Sequence, residues 1–257
     1  MKASKEQLEQ MYKSDRFPRS SRYDVQWAIE NEMGPNALWL TEALCEVMDL
    51  KPGMRVLDLG CGKAISSIFL AKEFGVQVWA TDLWIPASEN WTRIREAGME
   101  DSVFPIHAEA RALPYADEFF DAIVSMDAYH YFGTDVHYLD FHLLKLLKTG
   151  GQIGIVSPAS PQEPEHPIDL QPSKVWYWWN SVDWWRKHWE RFPGVEVEVA
   201  EPLPGGWEQW VLWGEILEAE GGSSRPPEAL DNAEELRIVK EDGGRIFGFV
   251  RMTARKK

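Results

Sequence analysis

Cysteine is nearly absent from this sequence. Cys45 and Cys61 are the only two in 257 residues, and neither belongs to a C-x-x-C pair. A disulfide framework and a structural zinc site are therefore not expected. Long apolar runs are missing too: nothing approaches the roughly 20 residues of a membrane-spanning helix. The first stretch, MKASKEQLEQMYKSDRFPRS, is polar and lacks the apolar segment of a secretory signal. Positive charge is scarce, with 27 Lys and Arg against 41 Asp and Glu and a formal net charge of −14. Such a surface repels phosphate backbones, so nucleic acid is not expected as a partner. His, Cys, Asp and Glu show no metal-ligand spacing, and no metal is expected. What is present is 44% apolar residues, enough to bury a core. The expectation is an acidic, globular, cytoplasmic protein with no membrane partner, and its oligomeric state is left open.

The apolar pattern sets the fold class. Arg55 to Leu59 reads as a buried strand after a Pro-Gly turn, and AISSIFLAKEFG as a helix closed by Gly75. VQVWATDLW, VFPIHAEA, FFDAIVSMDA and QIGIVS read as further strands. Helices are expected around Ser88 to Ala97 and across DVHYLDFHLLKLLKTGG, the latter stopped by its glycine pair. Nearly continuous apolar strands alternating with helices imply a doubly wound, mostly parallel α/β sheet covered on both faces. Before it, Tyr23 to Leu50 reads as two helices, or a helix and a capping turn, broken at Gly34-Pro35. After it, five prolines fall in the fifteen residues from Pro158 to Pro172, a segment that cannot be helix or central strand. A helix from Val182 to about Arg191, a strand VEVEVA, two more helices and a closing strand RIFGFVRMTA follow. The expected division is an N-terminal helical lid over 1–50, a Rossmann-like core over 51–157, and an aromatic cap with the last strands over 158–257.

The stretch VLDLGCGKA carries the chemistry. A strand ends, the chain turns on Gly60 and Gly62, and a helix begins. Glycines there let the backbone approach a ligand, with helix N–H groups aimed at it. Asp82 follows Gly60 by 22 residues at the end of the second strand, where an acid can accept both hydroxyls of a ribose. An adenosine-containing cofactor fits this arrangement. The dinucleotide fingerprint GxGxxG is incomplete, because Ile65 stands at its third glycine. Asp58, just before the turn, would repel a pyrophosphate and suits an ammonium group.

These residues, with three further blocks, resemble the class I S-adenosylmethionine-dependent methyltransferases, small-molecule members in particular. VLDLGCGKA is similar to their first motif, ATDLW to their second strand with its ribose-binding acid, HAEARALPYADEFFDAIVSM to their adenine stretch, and LLKTGGQIGIV to their LKPGG block. The four occur in order over about 100 residues. The resemblance implies a Rossmann-like seven-stranded sheet and S-adenosyl-L-methionine as cofactor. It implies that Asp58, Gly60, Cys61 and Gly62 cradle the methionine half and that Asp82 holds the ribose. Leu83 would pack on the adenine, Glu109 beside Ala110 would accept from the adenine amino group, and Met126 would face the sulfonium. Two positions depart from the pattern: Ala64 stands for the third glycine, on the expectation that Ala fits a helix start, and Glu109 stands for the usual Asp.

Methyl transfer to oxygen or nitrogen can need a general base, and histidine suits neutral pH. His130, flanked by Tyr129 and Tyr131 after the fourth strand, opens at the ligand-binding edge of the sheet. His130 and Tyr129 are the candidate catalytic residues, and a structural role for His130 is the alternative. Ser173 to Phe192 holds six of the fourteen tryptophans. Val182, Trp185, Trp189 and Phe192 share one helix face and are expected to be core. At least one of Trp176, Trp178, Trp179 and Trp184 is expected to line a pocket for an aromatic or cationic small molecule. The leading expectation is a small-molecule methyltransferase. The alternatives are a non-catalytic cofactor-binding module and an NAD-dependent oxidoreductase.

Overall fold

The apolar runs pair side by side because the central strands bury both faces. The computed structural model describes residues 2–163, 179–222 and 231–257. The strands are Arg55–Leu59 (β1), Gln77–Asp82 (β2), Val103–His107 (β3), Phe120–Met126 (β4), Leu147–Pro158 (β5), Val195–Pro202 (β6) and Phe249–Lys256 (β7). They form one seven-stranded sheet in the order β3-β2-β1-β4-β5-β7-β6. The first five are parallel, and β7 runs antiparallel between β5 and β6. Alternate side chains enter opposite cores, as the strand period of two requires. Val56, Ala122 and Val124 face one cluster with Leu44, Phe69 and Trp213. Leu57, Leu59 and Ile123 face the other, with Tyr129, Trp185 and Trp189.

The helices are Lys5–Tyr12 (α1), Val25–Glu30 (α2), Ala37–Cys45 (α3), Ile65–Phe74 (α4), Ala87–Glu96 (α5), Val182–Glu190 (α6), Gly206–Glu220 (α7) and Asn232–Asp242 (α8). The expected N-terminal pair is α2 and α3. Helix α1 was not anticipated, yet Ser4 and Gln7 form a reciprocal capping box at its start. Every residue from Leu38 to Cys45 in α3 is buried. The guanidinium of Arg251 on β7 fixes the end of this helix, donating to Ala43 O (2.8 Å), Glu46 Oε2 (2.7 Å) and Glu201 Oε1 (2.5 Å). Among the described residues, no helix is long and apolar enough to cross a membrane.

One expected element is corrected. DVHYLDFHLLKLLKTGG is not a helix stopped by glycines. Only a five-residue π-helical turn forms, Leu139–Leu143. The chain then enters β5 at Leu147, which pairs with Phe120. The glycine pair lies inside the strand, and Gly151 is needed there because a Cβ would sit 2.9 Å from Asp121 O and 2.8 Å from Lys148 O. The apolar spacing was read as a helix period, but tertiary pairing with β4 decided the outcome.

Of the two residues able to cap α6, Asn180 and Ser181, Ser181 does so, accepting from Trp184 N. The face carrying Val182, Trp185, Trp189 and Phe192 is core. Trp179 is buried as well, donating to Ser160 Oγ at 2.9 Å and lying 5.2 Å from Phe247 and 6.0 Å from Trp210. Trp184 stacks on His188 at 4.6 Å. Trp176, Trp178 and most of the proline-rich stretch lie outside the described residues.

Candidate functional site

A cavity of about 240 Å³ opens at the carboxyl ends of β1, β2 and β4. Its floor is the turn after β1. Gly60 (φ 74°), Gly62 (φ 53°) and Ala64 (φ 60°) all take left-handed backbone. Gly60 N and Cys61 N donate to Thr81 O at 2.8 and 3.2 Å, tying the turn to β2. A Cβ on Gly60 would lie 2.3 Å from Ala128 Cβ, so this glycine permits the close approach of the turn after β4. Helix α4 starts without a side-chain cap, because Ala64 has none to offer. The N–H groups of its first turn are thus left for a ligand.

Two carboxylates shape this floor. Asp58 is fully buried, and its Oδ2 accepts from Ser66 Oγ and Ser67 Oγ, both at 2.6 Å. Burial pushes its carboxyl up to about 6, against the lowering effect of the two hydroxyls, with the charge of Asp82 adding to the rise. Asp82 lies in the cavity wall. Its Oδ1 accepts from Trp84 N (2.7 Å) and Ile85 N (2.9 Å), and its Oδ2 from Gly62 N (2.8 Å). A carboxylate has about four acceptor sites, so one, on Oδ2, is left over. Further along the wall, Glu109 Oε2 accepts from Arg111 N at 2.7 Å, and Leu83, Ala110 and Met126 supply apolar surface. His107 Nε2 donates to Leu83 O at 2.7 Å and steadies the segment after β2.

The opposite wall is the segment between α2 and α3. Lys63 Nζ donates to Glu30 O and Arg93 Nε to Asn31 Oδ1, each at 2.9 Å. From α7, Trp213 Nε1 donates to Gly34 O at 3.0 Å. A Cβ on Gly34 would lie 2.9 Å from Asp127 Oδ2, so the strap passes close to the turn after β4. This strap closes a side of the cavity and meets the glycine turn at Met33, whose Sδ would lie 2.8 Å from a Cβ on Gly62, and Met33, Asn36, Phe132 and Trp213 are in the lining.

Residues 56–151 match the family of methyltransferase domains. This segment belongs to the class I S-adenosylmethionine-dependent methyltransferases. Over 121 residues the chain is 32% identical to methyltransferase GfsG of Streptomyces halstedii, which covers 45% of this chain and 42% of that protein. It therefore spans less than half the length of that relative. Two solved structures share the fold. The (4+2)-cyclase SpnF superposes with a TM-score of 0.68 at 20% identity, over 88% of this chain and 84% of that one. A geranyl diphosphate methyltransferase in complex with S-adenosylmethionine superposes with a TM-score of 0.67 at 19% identity, over 86% of each.

S-adenosylmethionine is the cofactor of this family, and the residues of the methyltransferase domain fit it. Asp58 Oδ1 is buried with no hydrogen-bond partner among the described residues. Asp82 keeps one acceptor site toward the cavity, and the start of α4 is uncapped. Cys61, Leu83, Glu109, Ala110 and Met126 line the same cavity as Gly60, Gly62 and Asp82. Asp58 stands just behind them, on the hydroxyls of Ser66 and Ser67. The expectation for Ala64 needs a different reason: it sits in left-handed backbone, not at a helical φ, which is why glycine is the usual residue there.

The methyltransferase domain does not bring Tyr129 and His130 to the cavity. Ala128, Tyr131 and Phe132 line it, while the two residues between point inward. Tyr129 is fully buried against Trp189 (5.6 Å), Trp185 (5.8 Å) and Tyr138 (5.9 Å), and burial raises its hydroxyl far above its usual range. His130 is buried too, and desolvation pushes its imidazole down to about 3. Among the described residues, the tryptophans in the cavity wall are Trp84 and Trp213, not Trp179 or Trp184. Sequence reasoning missed Trp84 and the particular place of the strap within the N-terminal segment; Trp213 belongs to the late cluster with Trp207 and Trp210, rings of which a few were expected to line a pocket roof. The signals available were Trp84 next to the ribose acid and the Gly34-Pro35 break between two helices.

Proposed function

We propose that the chain is an S-adenosylmethionine-dependent methyltransferase that acts on a small molecule by in-line transfer. The observation that carries this reading is one cavity walled by the glycine turn and Asp82 on one side and by the Trp213-anchored strap on the other. When bound, S-adenosylmethionine supplies a methyl group on a positively charged sulfur. The residues of the chain hold and align. Gly60 and Gly62 let the main chain come close to the methionine end, the uncapped start of α4 offers it main-chain N–H groups, and Asp58 offers its buried carboxylate near the ammonium. Asp82 Oδ2 accepts from a ribose hydroxyl, Leu83 and Ala110 cover the adenine, and Glu109 accepts from its amino group. Met126 lies at the methyl end. The strap excludes water and orients the acceptor, which accounts for most of the catalysis an already activated leaving group needs.

In this reading Tyr129 and His130 are positioning residues. They anchor the turn whose neighbours, Ala128, Tyr131 and Phe132, face the ligand. The net charge of −14 supports a small molecule, not nucleic acid, as the partner. The cytoplasm is the compartment this composition suits. The test is incubation with methyl-labelled S-adenosylmethionine and fractionated metabolites, following label and S-adenosylhomocysteine together. A labelled small molecule formed in equal amount with S-adenosylhomocysteine is expected. Tight binding without turnover in any pool would overturn the enzyme and leave a binding module.

A further inference from the structure

The mouth of the cavity carries two of the most exposed large rings in the described chain, Trp84 at 64% and Tyr131 at 44%. They come from different elements. Trp84 follows β2, and Tyr131 ends the short turn after β4. In the sheet, β1 lies between these strands, so the two segments flank the Gly60–Gly62 turn on either side. The rings nevertheless touch, edge to face, with centroids 5.5 Å apart, and both line the cavity. Their contact bridges the space above the glycine turn.

The backbones that carry the rings are held firmly. Trp84 N is fixed by Asp82 Oδ1, and the carbonyl of the preceding Leu83 by His107. Tyr131 N donates to Ala128 O at 3.1 Å, and the turn is seated on the buried Tyr129. Opening the bridge therefore requires only side-chain rotation, which is fast and needs no backbone rearrangement. An exposed tryptophan edge-on to a tyrosine has a flat face left over for a planar ligand.

We propose that Trp84 and Tyr131 form a clasp over the adenosine half of the bound cofactor and set how quickly S-adenosylhomocysteine leaves. This rests on the reading that the cavity binds S-adenosylmethionine. The Trp84–Tyr131 contact is what spans the mouth, while Tyr131 also lies 4.1 Å from His130 on its own turn, so removing either ring opens the clasp.

The test is the release rate of labelled S-adenosylhomocysteine, chased with excess unlabelled compound, from the full chain and from Trp84→Ala, Tyr131→Ala and the double variant. Each single change should speed release about tenfold, the scale of one aromatic contact. The double variant should be no more than about twofold faster than either single one. Trp84→Phe should keep release near the wild-type rate. Exposure of both rings means that the variants fold, which thermal melts check. Single variants that release within twofold of wild type overturn the clasp, and so does a double variant whose effect is the product of the two. A wild-type chain that does not bind S-adenosylhomocysteine overturns the proposed function itself, an outcome visible before any variant is made.

Discussion

The two walls of the cavity are held by different forces. The floor, from β1 through α4 to β2, depends on backbone geometry and carboxylates: three left-handed residues, Asp58 on two hydroxyls and Asp82 on three main-chain amides. The far side depends on aromatic packing. Trp213 latches the strap, and Trp185 and Trp189 of α6 seat Tyr129, which carries the turn after β4. A main-chain cradle is pinned to short motifs with fixed spacing. An aromatic scaffold tolerates many arrangements of the same rings, and only the packed chain selects one.

If that contrast is right, the largest effect comes from the aromatic side. Trp189→Ala removes a fully buried ring and should cost about 3–5 kcal/mol of stability. Denaturant titration measures it, and a loss below about 1 kcal/mol would mean that α6 is not the scaffold of the turn.

Next comes Asp58, which sharpens the floor. Its folded carboxyl titrates at about 6, above the roughly 3.9 of an unfolded Asp. Between those values the folded chain keeps a proton that the unfolded chain has lost, so the contribution of Asp58 falls as pH rises from about 4 to about 6 and is flat above. The stability of wild type minus that of Asp58→Asn should drop by up to about 3 kcal/mol across that window. A pH-independent difference would place a lower pKa on the buried acid.

Asp82→Ala should weaken S-adenosylhomocysteine binding by about 1.5–3 kcal/mol. It also frees the amides of Gly62, Trp84 and Ile85, so the melting temperature should fall as well. Calorimetry showing an unchanged dissociation constant would remove Asp82 from the ribose contact.

The smallest change is Ala64→Gly. Relief of left-handed strain, about 1–2 kcal/mol, outweighs the extra freedom glycine gives the unfolded chain. A gain of about 0.5–1 kcal/mol is expected, with ligand affinity kept. A loss of stability would show that Ala64 carries no strain.

The sequence by itself determined the floor. A strand that must bury both faces, a turn that only small residues can make and an acid at a fixed distance leave few arrangements, so Asp58, Gly60, Gly62 and Asp82 were legible as one site. The face of α6 was legible for the same reason, since Trp185 and Trp189 recur at the helical period. Tertiary structure decided the rest. Whether LLKLLKTGG became helix or strand depended on the β4 edge beside it, and nothing local distinguishes the two. His130 and Tyr129 were expected at the ligand because the loop after β4 opens there, but a short turn can present neighbouring residues to opposite sides, and the core took these two. The strap and Trp213 lie almost 180 residues apart in the chain and meet in one hydrogen bond. Contacts between segments so distant leave no periodic trace in either, so only the folded chain could bring them together.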